Sequence, residues 1–142
     1  MPILNSVTRV VARPLPRTIS PKAHAVIDYV TVASFLVGAG LFWRSSKRAA
    51  LAALISGGAE LAVALLTDYP GGLRKAISFR THGQMDLGLA AMTATMPEFL
   101  AFSDDNEKKF FLAQGVLITA ISELTRFPGK NAKAEKKRSR AA

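Results

Sequence analysis

Four stretches of the chain carry almost no charge. From Ala25 to Trp43 the only charged residue is Asp28, and from Ala49 to Thr67 it is Glu60. Met85 to Phe102 repeats the pattern with Asp86 and Glu98, and Phe110 to Leu124 with Glu123 alone. A helix on the surface of a soluble protein keeps a charged face along its length. These four are apolar around nearly their whole circumference, as in a membrane span or a deeply buried helix. Each of the first two runs for 19 residues, close to the roughly 20 that cross a bilayer; the fourth is the shortest. A soluble bundle buries one stripe of each helix and exposes the rest, so a chain of 142 residues cannot hide four such helices from water. The pattern predicts an all-α fold, a four-helix transmembrane bundle.

The four segments form two tandem hairpins. A shift of 58 residues aligns Ser20 with Ser78, His24 with His82, Asp28 with Asp86 and Gly57 with Gly115. It also aligns Leu66-Thr67 with Leu124-Thr125 and Pro70-Gly71 with Pro128-Gly129, within twelve identities over 52 positions. Chance would mostly match Ala and Leu, whereas here the rare polar and turn residues coincide. The units are 20–77 and 78–129, flanked by a basic arm over 1–19 and a basic tail over 130–142. Two spans per unit give both copies the same orientation, related by a pseudo-two-fold axis along the membrane normal. Ser20 before Pro21 has the chemistry of an N-cap and first-turn proline, and Pro-Gly ends the second helix of each unit. Small residues at four-residue spacing (Ala49, Ala53 and Gly57, with Ser34 and Gly38) predict close helix packing.

Charge sets orientation. The net charge is +9, and fourteen of the 19 Lys and Arg lie on one side, in the arm, the central connection and the tail together with the adjoining Lys22 and Arg126. The opposite connections carry Arg44, Lys47, Arg48, Lys108 and Lys109, diluted by Asp104, Asp105 and Glu107. The positive-inside rule then puts both termini on the cytoplasmic side of the membrane. The first 19 residues have Arg9, Arg13 and Arg17 and no acid, as transit peptides do, but three prolines interrupt any amphipathic helix. They read as a retained arm. The partners expected are the bilayer itself, anionic lipid headgroups at arm and tail, and a second copy or another membrane component. Nucleic acid is not expected, because no aromatic residue interleaves the basic run for stacking. With no cysteine, disulfides, thiolate metal sites and thiol nucleophiles are excluded.

The two His-x-x-x-Asp starts, the Leu65-Leu66-Thr67-Asp68-Tyr69 stretch and the proline-bearing third span together resemble the bacterial SPW-repeat membrane proteins, over residues 19–128. The resemblance implies a small multi-pass protein of two such units, in a family of no established biochemical role. Of the naming tripeptide only Pro97 stands in the second unit, between Met96 and Glu98; Gly38-Ala39-Gly40 occupies the place in the first.

One constellation can carry chemistry. His24 and Asp28 are four apart and share a helix face, as do His82 and Asp86. Counting from the helix ends, Glu60 falls at the depth of Asp28, and Glu123 level with His82, which predicts one polar layer of six residues in the cytoplasmic half. Ionisable groups within a span suggest function by default. Three readings are open: a structural lock, with each Asp accepting from its His or a neighbouring turn; a proton or ion path; and a metal site. The Glu-x-x-His signature of di-metal bundles is absent. No phosphate-binding glycine loop, nucleophile elbow or His-Glu-x-x-His occurs. The expectation is a non-enzymatic structural or accessory membrane protein without cofactor or metal, the alternative a small proton- or cation-conducting protein that uses the layer.

Overall fold

The computed structural model describes residues 16–129. The sequence up to residue 15, most of the basic arm, and the tail from residue 130 lie outside the described residues. The fold is all-α. Among the described residues four helices run in series: α1 Pro21–Phe42, α2 Lys47–Leu66, α3 Phe79–Phe99 and α4 Asp105–Leu124. The fourth, expected to be the shortest, has 20 residues, and α3 begins six residues before the apolar stretch that predicts it. For α3 the cause is capping chemistry, which sets a helix start independently of apolarity, whereas α4 begins with the polar first turn of Asp105 and Glu107, whose charges suit a helix N-terminus. Ser20 Oγ accepts from the amide of Ala23 and Ser78 Oγ from that of Thr81, closing the first turns of α1 and α3 with polar residues. Ser46 does the same for α2.

α1 packs on α2 and α3 on α4, so each unit is a hairpin, and α2 packs on α3 to join them. Close approach explains the shared glycines. A Cβ on Gly57 would stand 2.8 Å from Phe35 Cβ, and one on Gly115 would stand 2.9 Å from the Ala90 carbonyl oxygen. Within each hairpin the partner helix thus occupies the space of the missing methyl. A core of Phe35, Ala53, Ala90, Phe111 and Ile118 fills the half of the bundle away from the termini.

The two units close on each other by short strand pairings that helix periodicity does not foretell. β1, Thr67–Asp68, pairs in parallel with β2, Ile77–Ser78, through Thr67 and Ile77. Its counterpart joins Ile19 to Thr125, where the Ile19 amide donates to the Leu124 carbonyl at 3.0 Å and that of Arg126 to Ile19 at 2.9 Å. The 58-residue shift carries Ile19 to Ile77 and Thr67 to Thr125, so one pairing is the other with the units exchanged. This is the pseudo-two-fold axis in hydrogen bonds.

Two of the helices, α1 and α2, are long and apolar enough to cross a membrane, with mean hydropathies of 1.8 and 2.0. α3 and α4 carry more polar residues and do not reach that level among the described residues.

Candidate functional site

Each first helix of a unit brings its histidine to the axis, and the opposite unit holds it. His24 Nδ1 is 2.7 Å from Thr125 Oγ1, and His82 Nδ1 is 2.7 Å from Thr67 Oγ1. Both threonine hydroxyls sit at the end of a helix and donate to the carbonyl four residues back, Thr125 to Ile121 and Thr67 to Val63, each at 2.6 Å. A hydroxyl has one proton to give. With it spent on the carbonyl, the oxygen accepts, so the hydrogen-bond network places a proton on Nδ1 of both rings.

The Nε2 atoms therefore point inward, 3.2 Å from each other. The carboxylates straddle this pair. Asp28 lies 3.3 Å from each Nε2, and Asp86 lies 3.4 Å from that of His24 and 3.1 Å from that of His82. The expectation that each Asp serves its own histidine is thus too local: every Asp faces both rings, and the cluster spans the two units. All four side chains are deeply buried, His82 at 0% exposure and Asp28, the most open, at 4%.

The two carboxylates differ. Tyr69 donates its hydroxyl to Asp28 Oδ2 at 2.7 Å. Burial and the facing Asp28 carboxylate push the Tyr69 phenol well above its ordinary value, so it stays a donor. The repeat puts Phe127 where Tyr69 stands, and Phe127 has no hydroxyl for Asp86. Asp86 Oδ1, despite its short approach to His82, has no hydrogen-bond partner among the described residues. Glu60 joins the layer as predicted. It is buried beside a cavity of about 10 Å³ lined also by His24, Asp28, Thr31, Asp86 and Ile118, room for roughly one water. Its Oε2 has no partner among the described residues.

Glu123 does not join. Ser122, buried and donating to the Gly83 carbonyl at 3.1 Å, holds the inward face of α4, and one residue further the helix has turned by about 100°. Glu123 is exposed, in an open groove with Arg17, Arg80 and Gln84. Depth along the helix is right; rotation is what the residue count omits.

Aromatic rings seal the cluster at the end that carries the strand pairings. Tyr69, Phe79 and Phe127 pack on one another and on the histidines, with Phe79 and Phe127 4.7 Å apart and Phe79 5.2 Å from the His24 ring. The Phe35 and Phe111 core closes the other side. Sequence reasoning missed the threonines and Tyr69 as members of the site. The available signal was the repeat itself: Thr67 and Thr125 coincide under the shift, but beside Pro-Gly they read as turn residues.

Two imidazole lone pairs and two carboxylates converge on one buried space. Only positive charge placed among them, protons on Nε2 or a metal ion, makes that arrangement stable. The site can therefore hold a cation and bind the two units through it. The chain matches no protein-family model, no curated protein and no solved structure.

Proposed function

We propose that this protein is a small multi-pass membrane protein with a structural or accessory, non-enzymatic role, in which all four helices cross the bilayer. The carrying observation is an inverted distribution of polarity. On α1, Val26, Val30, Val37 and Leu41 face outward, and Leu51, Leu54 and Ile55 do so on α2. The less apolar α3 and α4 behave alike, exposing Met85, Leu87 and Phe99, and Leu112, Val116 and Leu117. Between Arg80 and Glu98, and between Lys109 and Glu123, every exposed residue is uncharged. The ionisable residues of the polar layer, His24, Asp28, Glu60, His82 and Asp86, are all buried. Water would select the reverse, and hydrocarbon selects this. The lower hydropathy of α3 and α4 comes largely from residues that face inward or sit at the ends, where basic side chains reach the interface.

Kinship with SPW-repeat proteins belongs to the same reading, and the two-fold closure of the repeats supports it. So does a bacterial inner-membrane location with both termini cytoplasmic, on the basic-residue bias. Conduction is the lesser reading, because aromatic rings and an apolar core close the polar layer on both sides.

Two measurements test the proposal. The absence of native cysteine allows single labels. Leu73→Cys, exposed in the connection between the units, should be protected from an impermeant thiol reagent in intact cells, and Asn106→Cys at the start of α4 should react. Equal labelling of both refutes the topology. Proteoliposomes should show no proton flux above empty vesicles; flux that disappears in Asp86→Asn would replace the structural role with conduction.

A further inference from the structure

We propose that the His/Asp cluster is a divalent transition-metal site, with His24 Nε2, His82 Nε2 and an Asp86 oxygen as ligands and Asp28 beside them as a balancing anion. The resident ion joins the two repeat units. The inference adds a ligand to the membrane reading above and can fail without it.

Distance is the first argument. A tetrahedral ion bonded at about 2.0–2.1 Å to imidazole nitrogen and carboxylate oxygen holds neighbouring ligand atoms about 3.3–3.4 Å apart. Here the two Nε2 atoms are 3.2 Å apart, with one Asp86 oxygen 3.1 Å from that of His82 and the other 3.4 Å from that of His24. Donor atoms of His24, His82 and Asp86 all lie within 4.8 Å of one another.

The second argument is the shell behind the ligands. A metal-binding histidine nearly always donates its other ring N–H, which fixes the tautomer and aims the free nitrogen. Both histidines do this through Thr125 and Thr67, whose own protons are committed to helix carbonyls. The adjoining anion is fixed as well, since Tyr69 donates its hydroxyl to Asp28.

Asp86 Oδ1 supplies the third. It is buried, 3.1 Å from His82 Nε2, and without a hydrogen bond among the described residues. A closed network of hydrogen bonds would have used that oxygen; a metal ligand is kept free of protons. Two imidazoles and carboxylates select a borderline ion such as Zn²⁺ over Mg²⁺ or Ca²⁺, which favour all-oxygen shells. Two anionic carboxylates then balance the charge of the ion, as a buried site requires.

The test uses the full-length protein in detergent, stripped with chelator, with Zn²⁺ and Co²⁺ as probes. Wild type should bind one Co²⁺ per chain with the intense visible absorption of a four-coordinate site, and Zn²⁺ should displace it. His82→Ala should abolish the band. Thr67→Val, which keeps every ligand, should weaken binding about 10- to 100-fold, the usual loss for an outer-shell partner. Glu123→Gln, outside the cluster, should bind as wild type. Zn²⁺ should also raise the unfolding temperature of wild type and not that of His82→Ala. A helical, monodisperse wild type that takes up no Co²⁺ or Zn²⁺ at about 100-fold molar excess overturns the inference. So does binding unchanged in His82→Ala. Cysteine labelling of the same wild-type chain reports topology separately, so failure of the metal site and failure of the membrane reading cannot be confused.

Discussion

Tyr69→Phe removes one oxygen from the site and nothing else. The ring stays and no cavity opens, so the change isolates the hydrogen bond from Tyr69 to Asp28 Oδ2, 2.7 Å long and buried. Hydrogen bonds to charged groups contribute about 1.5–3 kcal/mol in soluble proteins. Those within membrane bundles average about 0.6 and reach about 1.7 kcal/mol. The ranges meet near 1.5 kcal/mol, which is the loss expected, roughly a tenfold rise in the unfolding constant. The pseudo-two-fold axis supplies the reciprocal variant. By the 58-residue shift, Phe127→Tyr puts a hydroxyl at the position of the Tyr69 hydroxyl in the other unit, and Asp86 is the carboxylate whose Oδ1 has no hydrogen-bond partner among the described residues. Its effect should have the opposite sign, a stabilisation of about 0.5–1.5 kcal/mol. Reversible unfolding in mixed detergent micelles, followed by helical circular dichroism, measures both. If Tyr69→Phe is within about 0.3 kcal/mol of wild type, the assignment of Tyr69 as the donor that differentiates the two aspartates is wrong.

The same asymmetry makes Asp28→Asn and Asp86→Asn unequal. Asp28→Asn should cost about 1 kcal/mol more, because it also weakens the tyrosine bond; equal losses in the unfolding assay would refute this. Helix packing is tested by neighbouring glycines. Gly57→Ala drives a methyl into Phe35 and should destabilise by about 1–3 kcal/mol. Gly58→Ala meets open space and should be neutral or gain up to about 1 kcal/mol from helix propensity. A matching loss in both would place the α1–α2 contact elsewhere.

Helix number, hairpin order and the repeat were legible in the sequence because each rests on local chemistry. Long uncharged stretches, a serine cap before a first turn and a Pro-Gly stop all act within a few residues of where they are read. His24, Asp28, His82 and Asp86 were legible as a layer because spacing by four fixes a shared face and the repeat fixes a shared depth. Glu60 followed from depth alone and landed inside, whereas Glu123 did not, since one residue of helical rotation separates it from the inward Ser122. The cross-unit character of the cluster was not legible. It depends on the strand pairings of Ile19 with Thr125 and Ile77 with Thr67, two residues or fewer in length and too short to leave a period. Those pairings carry each threonine over the opposite histidine. Tyr69 against Phe127 was visible as a difference between repeats, but its meaning required knowing that position to face a carboxylate.

The central claim is that lipid, not water, surrounds all four helices, and α3 and α4 are where it is most exposed to failure. Spin labels at Leu87→Cys and Val116→Cys, both outward-facing in the middle of these helices, read it directly by collision rates in reconstituted bilayers. Oxygen, which concentrates in hydrocarbon, should relax both labels strongly, and a water-soluble nickel chelate should barely reach them. Ready access of the chelate to both positions would show α3 and α4 outside the bilayer and contradict the account.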